Sequence, residues 1–347
     1  MALSKENSNR LQKYILELID RSDENMIQKV TEAFDISNTT VYNHIQKLIK
    51  ADIITKTGHG VCNYQLLNTN KQLNYTVNKT ILEEDRIYSK EIQCFFEECS
   101  KNIKQIWNYA FTEMMNNAIE HSNASEIEVL VSQNKLNTTI MISDNGVGIF
   151  EKIRAYYQYP DIETAILELF KGKLTTDSAR HSGEGIFFTS RAVDAFLAIS
   201  SGKVFTHTNY IEFMENLSKT KELKYYEKKN GTIIFMKMSN TSSKNLKEVF
   251  DMFSNQEDGF NKTQVPINQI CENGYPVSRS QARRLSLRFE EFKEIILDFR
   301  DVQDIGQGFA HELFVVFQNN HPEVLLNTIN CNTQVNRMIC HVKASNK

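Results

Sequence analysis

The feature that most constrains this chain is an ordered series of four short motifs across its middle. They read Glu113-x-x-x-Asn117-Ala118, Asp144-x-Gly146-x-Gly148, Gly183-x-Gly185 and Gly231-Thr232. The first lies in KNIKQIWNYAFTEMMNNAIEHS, where Ile103, Ile106, Ala110, Met114 and Ala118 keep a helical period. Glu113, Asn117 and His121 fall at i, i+4 and i+8 on a separate polar line of that helix. The second follows two strand-like segments, EIEVLVSQ and TTIMIS, so Asp144 ends a strand. The third follows a polar loop, KGKLTTDSARHS, and opens an apolar helix, IFFTSRAVDAF; the fourth starts a strand. A lone Gly-x-Gly is a weak signal. Four elements in the order helix, strand end, helix start and strand are a specific one.

This series resembles the GHKL ATPase superfamily, which includes gyrase, the heat-shock chaperone, mismatch-repair ATPases, histidine kinases and anti-sigma kinases. The resemblance implies a Bergerat-type α/β sandwich over residues 90–240, with ATP and Mg²⁺ as its ligands. Asn117 would then ligate Mg²⁺ through its side-chain oxygen, a hard donor that leaves most octahedral positions to phosphates and waters. Glu113 sits one helical turn earlier, about 6 Å along the axis. In hydrolysing members the matching acid is the general base that polarises the attacking water. Asp144 would accept a hydrogen bond from the exocyclic amine of adenine, and would repel the carbonyl that guanine presents there. Gly146 and Gly148 would let the backbone turn beneath the base, where a Cβ would collide. Gly183 and Gly185 would offer helix N–H groups to phosphates, and Thr232 would sit beside adenine through its hydroxyl and a water. The loop bearing Lys171, Lys173, Arg180 and His181 would form a lid over the triphosphate. Taken singly, these residues also have plainer readings: a backbone-bonded helix Asn, a solvated carboxylate, an Asp-Asn-Gly turn, a β-branched strand residue.

Residues 1–68 begin with Leu11, Ile15, Leu18 and Ile19 on one helical face, then a short helix with Ile27, Val30 and Phe34. Ser37 is a helix N-cap, and Val41, Ile45, Leu48 and Ile49 form the buried stripe of a third helix. After Ile53 the period becomes two, with a Gly58-His59-Gly60 turn and a strand ending at Leu66-Leu67. Helix, helix, helix, hairpin resembles bacterial winged helix-turn-helix regulators, in which the third helix enters the major groove of duplex DNA. On that resemblance Thr39, Thr40, Tyr42, Asn43 and Lys47 would face DNA, with Lys56 and His59 on the wing. Basic and acidic residues are equal in number over this stretch, although Lys47, Lys50 and Lys56 gather near the third helix and wing. Winged helices also serve as docking or dimerisation modules.

Residues 263–347 alternate strand and helix. QVPINQI, EIILDFR and EVLLNTINC read as strands, and SRSQARRLSLRFEEF and GQGFAHELFVVFQNNH as helices. The run LDFRDVQDIGQGFAHELF resembles the STAS fold of anti-anti-sigma factors, and more closely a STAS-like family that accompanies GHKL domains. In phosphorylated anti-anti-sigma factors the loop before the second helix carries a phosphoacceptor serine. Here that loop is Asp304-Ile305-Gly306-Gln307-Gly308, without a hydroxyl. The resemblance therefore implies a docking or dimerisation domain rather than a phosphoserine relay. Two polar stretches, 69–89 and 241–262, read as linkers, the first also as an added edge strand.

The whole chain of 347 residues suits a multidomain α/β protein. Its 41% hydrophobic and 24% charged residues are ordinary soluble values, and a net charge of −3 restricts any DNA contact to a local patch. No apolar run approaches a membrane span, and no apolar stretch follows the charged N-terminus as in a secretion signal. Six scattered cysteines without a Cys-x-x-Cys pair suit reduced thiols in a cytoplasm. The expected partners are ATP, duplex DNA through residues 1–68, a protein through the STAS-like domain, and a second copy of the chain. The expected activity is Mg-ATP binding with slow hydrolysis that controls DNA or partner binding. A Ser/Thr kinase of the partner-switching type and a non-enzymatic ATP-binding adaptor are the alternatives.

Overall fold

A computed structural model of the chain describes residues 5–57, 63–77, 82–174, 183–207, 230–255, 257–269 and 275–344. The N-terminal unit consists of α1 (Lys5–Asp20), α2 (Met26–Phe34), α3 (Asn38–Lys50) and an antiparallel hairpin of β1 (Ile54–Thr57) and β2 (Asn63–Leu66). Ser37 caps α3 as its sequence predicts, its Oγ accepting from the Thr40 N–H at 3.3 Å. Leu11, Ile15, Val30, Val41, Ile45 and Leu48 close a core of their own.

The central unit is a six-stranded antiparallel sheet in the order β3-β4-β5-β8-β6-β7. Its strands are β3 (Thr69–Thr76), β4 (Glu126–Gln133), β5 (Asn137–Asp144), β6 (Ala195–Ser200), β7 (Lys203–Thr206) and β8 (Thr232–Ser239). One face carries α4 (Lys101–Asn116), α5 (Ile149–Tyr157), α6 (Ile162–Lys171) and α7 (Gly185–Ala192). At its C-terminal end α4 runs into a π turn, Asn117–His121. Asp161 caps α6, its Oδ1 accepting from the Thr164 N–H at 2.8 Å.

The first polar stretch begins as the edge strand given as its alternative reading, and neither stretch is a simple linker. Residues 69–76 pair with β4 along their whole length as an edge strand, and Leu73 and Tyr75 pack on the core. Residues 84–96 are helical and bury Ile87, Tyr88, Ile92 and Phe96. Residues 241–262 contain α8 (Leu246–Phe253), capped by Asn245, whose Oδ1 accepts from the Lys247 N–H. Its Phe250 ring lies 4.3 Å from Phe188, and its Phe253 ring 5.0 Å from Phe187, so the segment belongs to the core.

The C-terminal unit has three parallel strands in sequence order, β9 (Lys262–Pro266), β10 (Glu294–Asp298) and β11 (Leu325–Ile329). They are connected through α9 (Arg279–Ser286) and a helix beginning with α10 (Gln307–His311), and α11 (Thr333–Ala344) follows β11. A capping box of Ser278 and Gln281 starts α9. The expected long helix stops at Leu287, because Arg288 adopts a left-handed conformation (φ +61°) and a short 3₁₀ turn, Phe289–Glu291, follows. The buried apolar residues of this unit and of the central unit form one continuous cluster. No helix among the described residues is long and apolar enough to cross a membrane. Cys94, Cys99, Cys331 and Cys340 are free thiols.

Candidate functional site

A cavity of about 280 Å³ opens between α4, the end of β5, the start of β8 and the N-terminus of α7. Glu113, Asn117, Asp144, Gly148, Gly183, Gly185 and Thr232 all line it, although they come from four separate stretches of chain. His121 lines it too, carried there by the π turn at the end of α4. π turns of this kind recur at functional sites because one extra residue per turn re-aims the side chains.

Asp144 is 5% exposed and acts as an acceptor. Its Oδ1 receives the Gly146 N–H at 2.9 Å and the Thr232 N–H at 3.3 Å. The pairing of β5 with β8 sets that second contact, since Ser143 lies opposite Ile233. Thr232 Oγ1 accepts from the Ile149 N–H at 2.9 Å, tying β8 to the first residue of α5.

The glycines of the second motif are required by the protein itself. A Cβ on Gly146 would lie 2.1 Å from the Ser122 carbonyl oxygen, because the Asp-Asn-Gly turn packs on the end of the α4 helix. The protein's own backbone therefore suffices to require glycine at 146. Gly148 does line the cavity, at φ +85°, and a Cβ there would lie 2.5 Å from Ser200 Oγ. At the phosphate-type motif, a Cβ on Gly185 would come within 2.2 Å of Glu113 Oε2. The Glu113 carboxylate therefore rests against the first turn of α7.

Three residues of this region escaped the sequence reading. Lys152 lines the cavity from the first turn of α5 and donates to the His121 carbonyl at 2.5 Å. Glu184 lines it between the two glycines. Tyr109 lies one turn before Glu113; burial raises its hydroxyl pKa well above the usual tyrosine value, and Glu113 and Glu184 push it further. Their signals were present as simple spacing: one turn after Gly148, between Gly183 and Gly185, and one turn before Glu113.

Two lysines expected on the lid loop, Lys171 at the end of α6 and Lys173 just after it, are placed differently from expectation. Lys171 is fully buried and pairs with Glu168, while its Nζ also donates to the Leu287 carbonyl at 2.5 Å. Burial pushes its ammonium pKa down to about 8. Lys173 Nζ donates to the Glu291 carbonyl at 2.7 Å and lies 4.7 Å above the Phe292 ring. Both cations therefore engage the C-terminal unit instead of the cavity. Arg180 and His181 lie outside the described residues.

In the N-terminal unit, Thr39, Tyr42, Asn43 and Lys47 share the exposed face of α3, with Tyr42 47% exposed. Thr40 is half-buried, and its hydroxyl lies 3.0 Å from Ser37 Oγ. Lys56 is exposed on β1, and His59 lies outside the described residues.

Comparison with known families gives three matches in chain order. Residues 10–64 match a DeoR-like helix-turn-helix domain. Residues 105–239 match the histidine kinase-, DNA gyrase B-, and HSP90-like ATPase family, a span that contains every residue lining the cavity and all four motifs. The central unit is a GHKL-type domain. Residues 281–336 match a STAS-like domain of unknown function, so the GHKL-type domain stands between a helix-turn-helix and a STAS-like domain. No curated protein matches the chain.

Proposed function

We propose that the protein is an ATP-binding regulator, acting in the cytoplasm, in which occupancy of the GHKL-type cavity is read by the domains on either side. The observation that carries this reading is the convergence of Asp144, Thr232, Asn117, Glu113 and Gly185 on one cavity. Asp144, already holding two backbone N–H groups, offers an acceptor suited to the amine edge of adenine and opposed to the carbonyl edge of guanine. The N-terminus of α7, where Glu184 makes no side-chain cap, would offer its N–H groups to phosphate oxygens. Asn117 fits a magnesium ion whose other donors are phosphates and waters; when bound, that ion would neutralise phosphate charge. Glu113, beside the same helix start, is placed to hold a water or hydroxyl proton as general base.

Duplex DNA is the partner we propose for α3, on the strength of its exposed Thr39, Tyr42, Asn43 and Lys47. Incubation with γ-labelled ATP and magnesium tests the central reading. Free phosphate supports an ATPase, label on a protein supports a kinase, and ATP bound without either leaves a nucleotide-binding adaptor. Glu113→Gln should keep ATP bound and slow turnover about 10²-fold or more. Equal affinity of the wild-type protein for ATP and GTP would remove the role given to Asp144.

A further inference from the structure

We infer that Arg288, a residue of the STAS-like domain outside the cavity, is a positioning residue that holds the Gly172–Leu174 wall of the nucleotide cavity. Its effect on turnover rests on the nucleotide reading above; the contact itself rests on geometry alone. Gly172 and Leu174 line the cavity, and the Leu174 N–H donates to the Gly183 carbonyl at 3.2 Å, joining this wall to the start of the phosphate-type motif. The wall has an unusual backbone. Gly172 (φ +82°) and Lys173 (φ +53°) are left-handed in succession, and a Cβ on Gly172 would lie 2.7 Å from the Phe260 ring. A lysine in that conformation persists where its surroundings over-determine it.

Arg288 supplies much of that determination. Its Nη2 donates to the Lys173 carbonyl at 2.5 Å, and its Nη1 to Glu168 Oε2 at 3.1 Å. Its Nε and Nη2 grip Glu291 at 2.8 and 2.7 Å, and the guanidinium lies 5.6 Å over the Tyr157 ring. Glu168 is fully buried and also pairs with Lys171, whose carbonyl accepts from Thr263 Oγ1 at 2.7 Å. Residues 171 and 173, on both sides of Gly172, are thus tied to the STAS-like domain. Arg288 itself is left-handed, which is uncommon for a long side chain, and this conformation ends the helix so that the side chain turns back to α6. A planar fork that meets a carboxylate and a carbonyl together is a property of arginine that lysine lacks. A partner that shifts α9 and the turn after it would therefore move the cavity wall, and nucleotide would be felt at α9 in return.

The test uses the full chain as wild type, Arg288→Ala, Arg288→Lys and the milder Glu291→Ala. Amide hydrogen exchange is read first without nucleotide. Arg288→Ala should speed exchange at 172–174 by at least about tenfold, as expected for loss of charge-assisted bonds. Arg288→Lys and Glu291→Ala should fall between it and wild type. Unchanged exchange at 172–174, or equal acceleration across the whole chain, would overturn the assignment. Turnover is read second: Arg288→Ala should lower kcat about tenfold while the preference for ATP over GTP, set at Asp144, is kept. Loss of that preference together with kcat would mean a general structural role and overturn it. A wild-type chain that binds no ATP would defeat the nucleotide reading, while the nucleotide-free exchange would still decide the contact.

Discussion

The winged helix and the STAS-like domain are attached to the GHKL-type domain in contrasting ways. The winged helix keeps a separate core and meets its neighbour through a polar, exposed seam. Asp20 accepts from Asn137 Nδ2 at 3.3 Å and lies 3.8 Å from Lys237 Nζ, Lys13 reaches Thr241 at 3.5 Å, and Leu136 adds an apolar edge. The STAS-like domain shares its core with the central domain. Contacts from inside the fold cross that boundary: Thr263 Oγ1 donates to the Lys171 carbonyl at 2.7 Å, fully buried, and Arg191 Nη2 donates to the Gln264 carbonyl at 3.1 Å. The two seams also differ in distance from the cavity. Asn137 begins β5 and Asp144 ends it, so the winged helix docks about 25 Å from the cavity end of the sheet. The STAS-like seam includes Lys171 and Lys173, which flank the cavity-lining Gly172. A nucleotide signal should therefore be strong in one domain and weak in the other.

The sharpest way to break this comparison is to cut the chain on each side. A chain ending at Asn255 loses Phe260, Val265, Phe289 and Phe292 from the shared core. Each such side chain contributes about 1.5–3 kcal/mol by burial, against a total stability of about 5–15 kcal/mol. That chain should show no cooperative melting transition. A chain lacking residues 1–67 should melt cooperatively and still bind ATP. Cooperative melting of the C-terminally cut chain would show that the continuous core is not a single folding unit.

Next in size is the nucleotide contact itself. Asp144→Ala removes a buried acceptor, and loss of a charge-assisted hydrogen bond of about 1.5–3 kcal/mol should weaken ATP binding about 10- to 150-fold. Calorimetric titration measures this directly. In wild type, saturating ATP should slow amide exchange in α9 and the 3₁₀ turn after it, and Asp144→Ala at the same ATP concentration should not. Protection in α3 equal to that in α9 would erase the contrast between the two seams.

Much of this arrangement was legible from sequence. Regular periodicity revealed the three helices and hairpin of the winged helix, and Glu113, Asn117, Asp144, Gly148, Gly183, Gly185 and Thr232 of the four motifs line one cavity, while Gly146 packs on Ser122. What was hidden depends on partners distant in the chain. β3 was legible only as an alternative to a linker: Leu73 and Tyr75 alternate with polar residues, and pairing with β4 some 56 positions later, as at Gln72 and Glu128, decides for a strand. α8 follows a polar run and is too short for a clear period; its burial comes from aromatic contacts with Phe187 and Phe188. The break at Arg288 is least visible of all, since the carboxylate that fixes it, Glu168, lies 120 residues away. Lys171 and Lys173 were placed on a lid loop because they stand in a polar stretch before a glycine motif; here carbonyls and a buried carboxylate of the folded chain satisfy them.

The smallest effect concerns DNA. Exposed ion pairs contribute about 0.2–1 kcal/mol each, so a seam built from Asp20, Asn137, Lys237 and Lys13 can transmit little. ATP should change the affinity of the full chain for a duplex by no more than about fivefold, the equivalent of about 1 kcal/mol. Asp20→Ala should bring the ratio of affinities with and without ATP to about one. The affinity without ATP should hold, because Asp20 ends α1 and is not on the exposed face of α3. Fluorescence anisotropy with a labelled duplex at fixed salt reads both quantities, the salt being held constant because phosphate contacts make affinity steeply salt-dependent. An ATP effect above about 30-fold would exceed what this seam can carry. It would mean that the winged helix is coupled through contacts beyond those four residues, and the contrast with the STAS-like domain would fail.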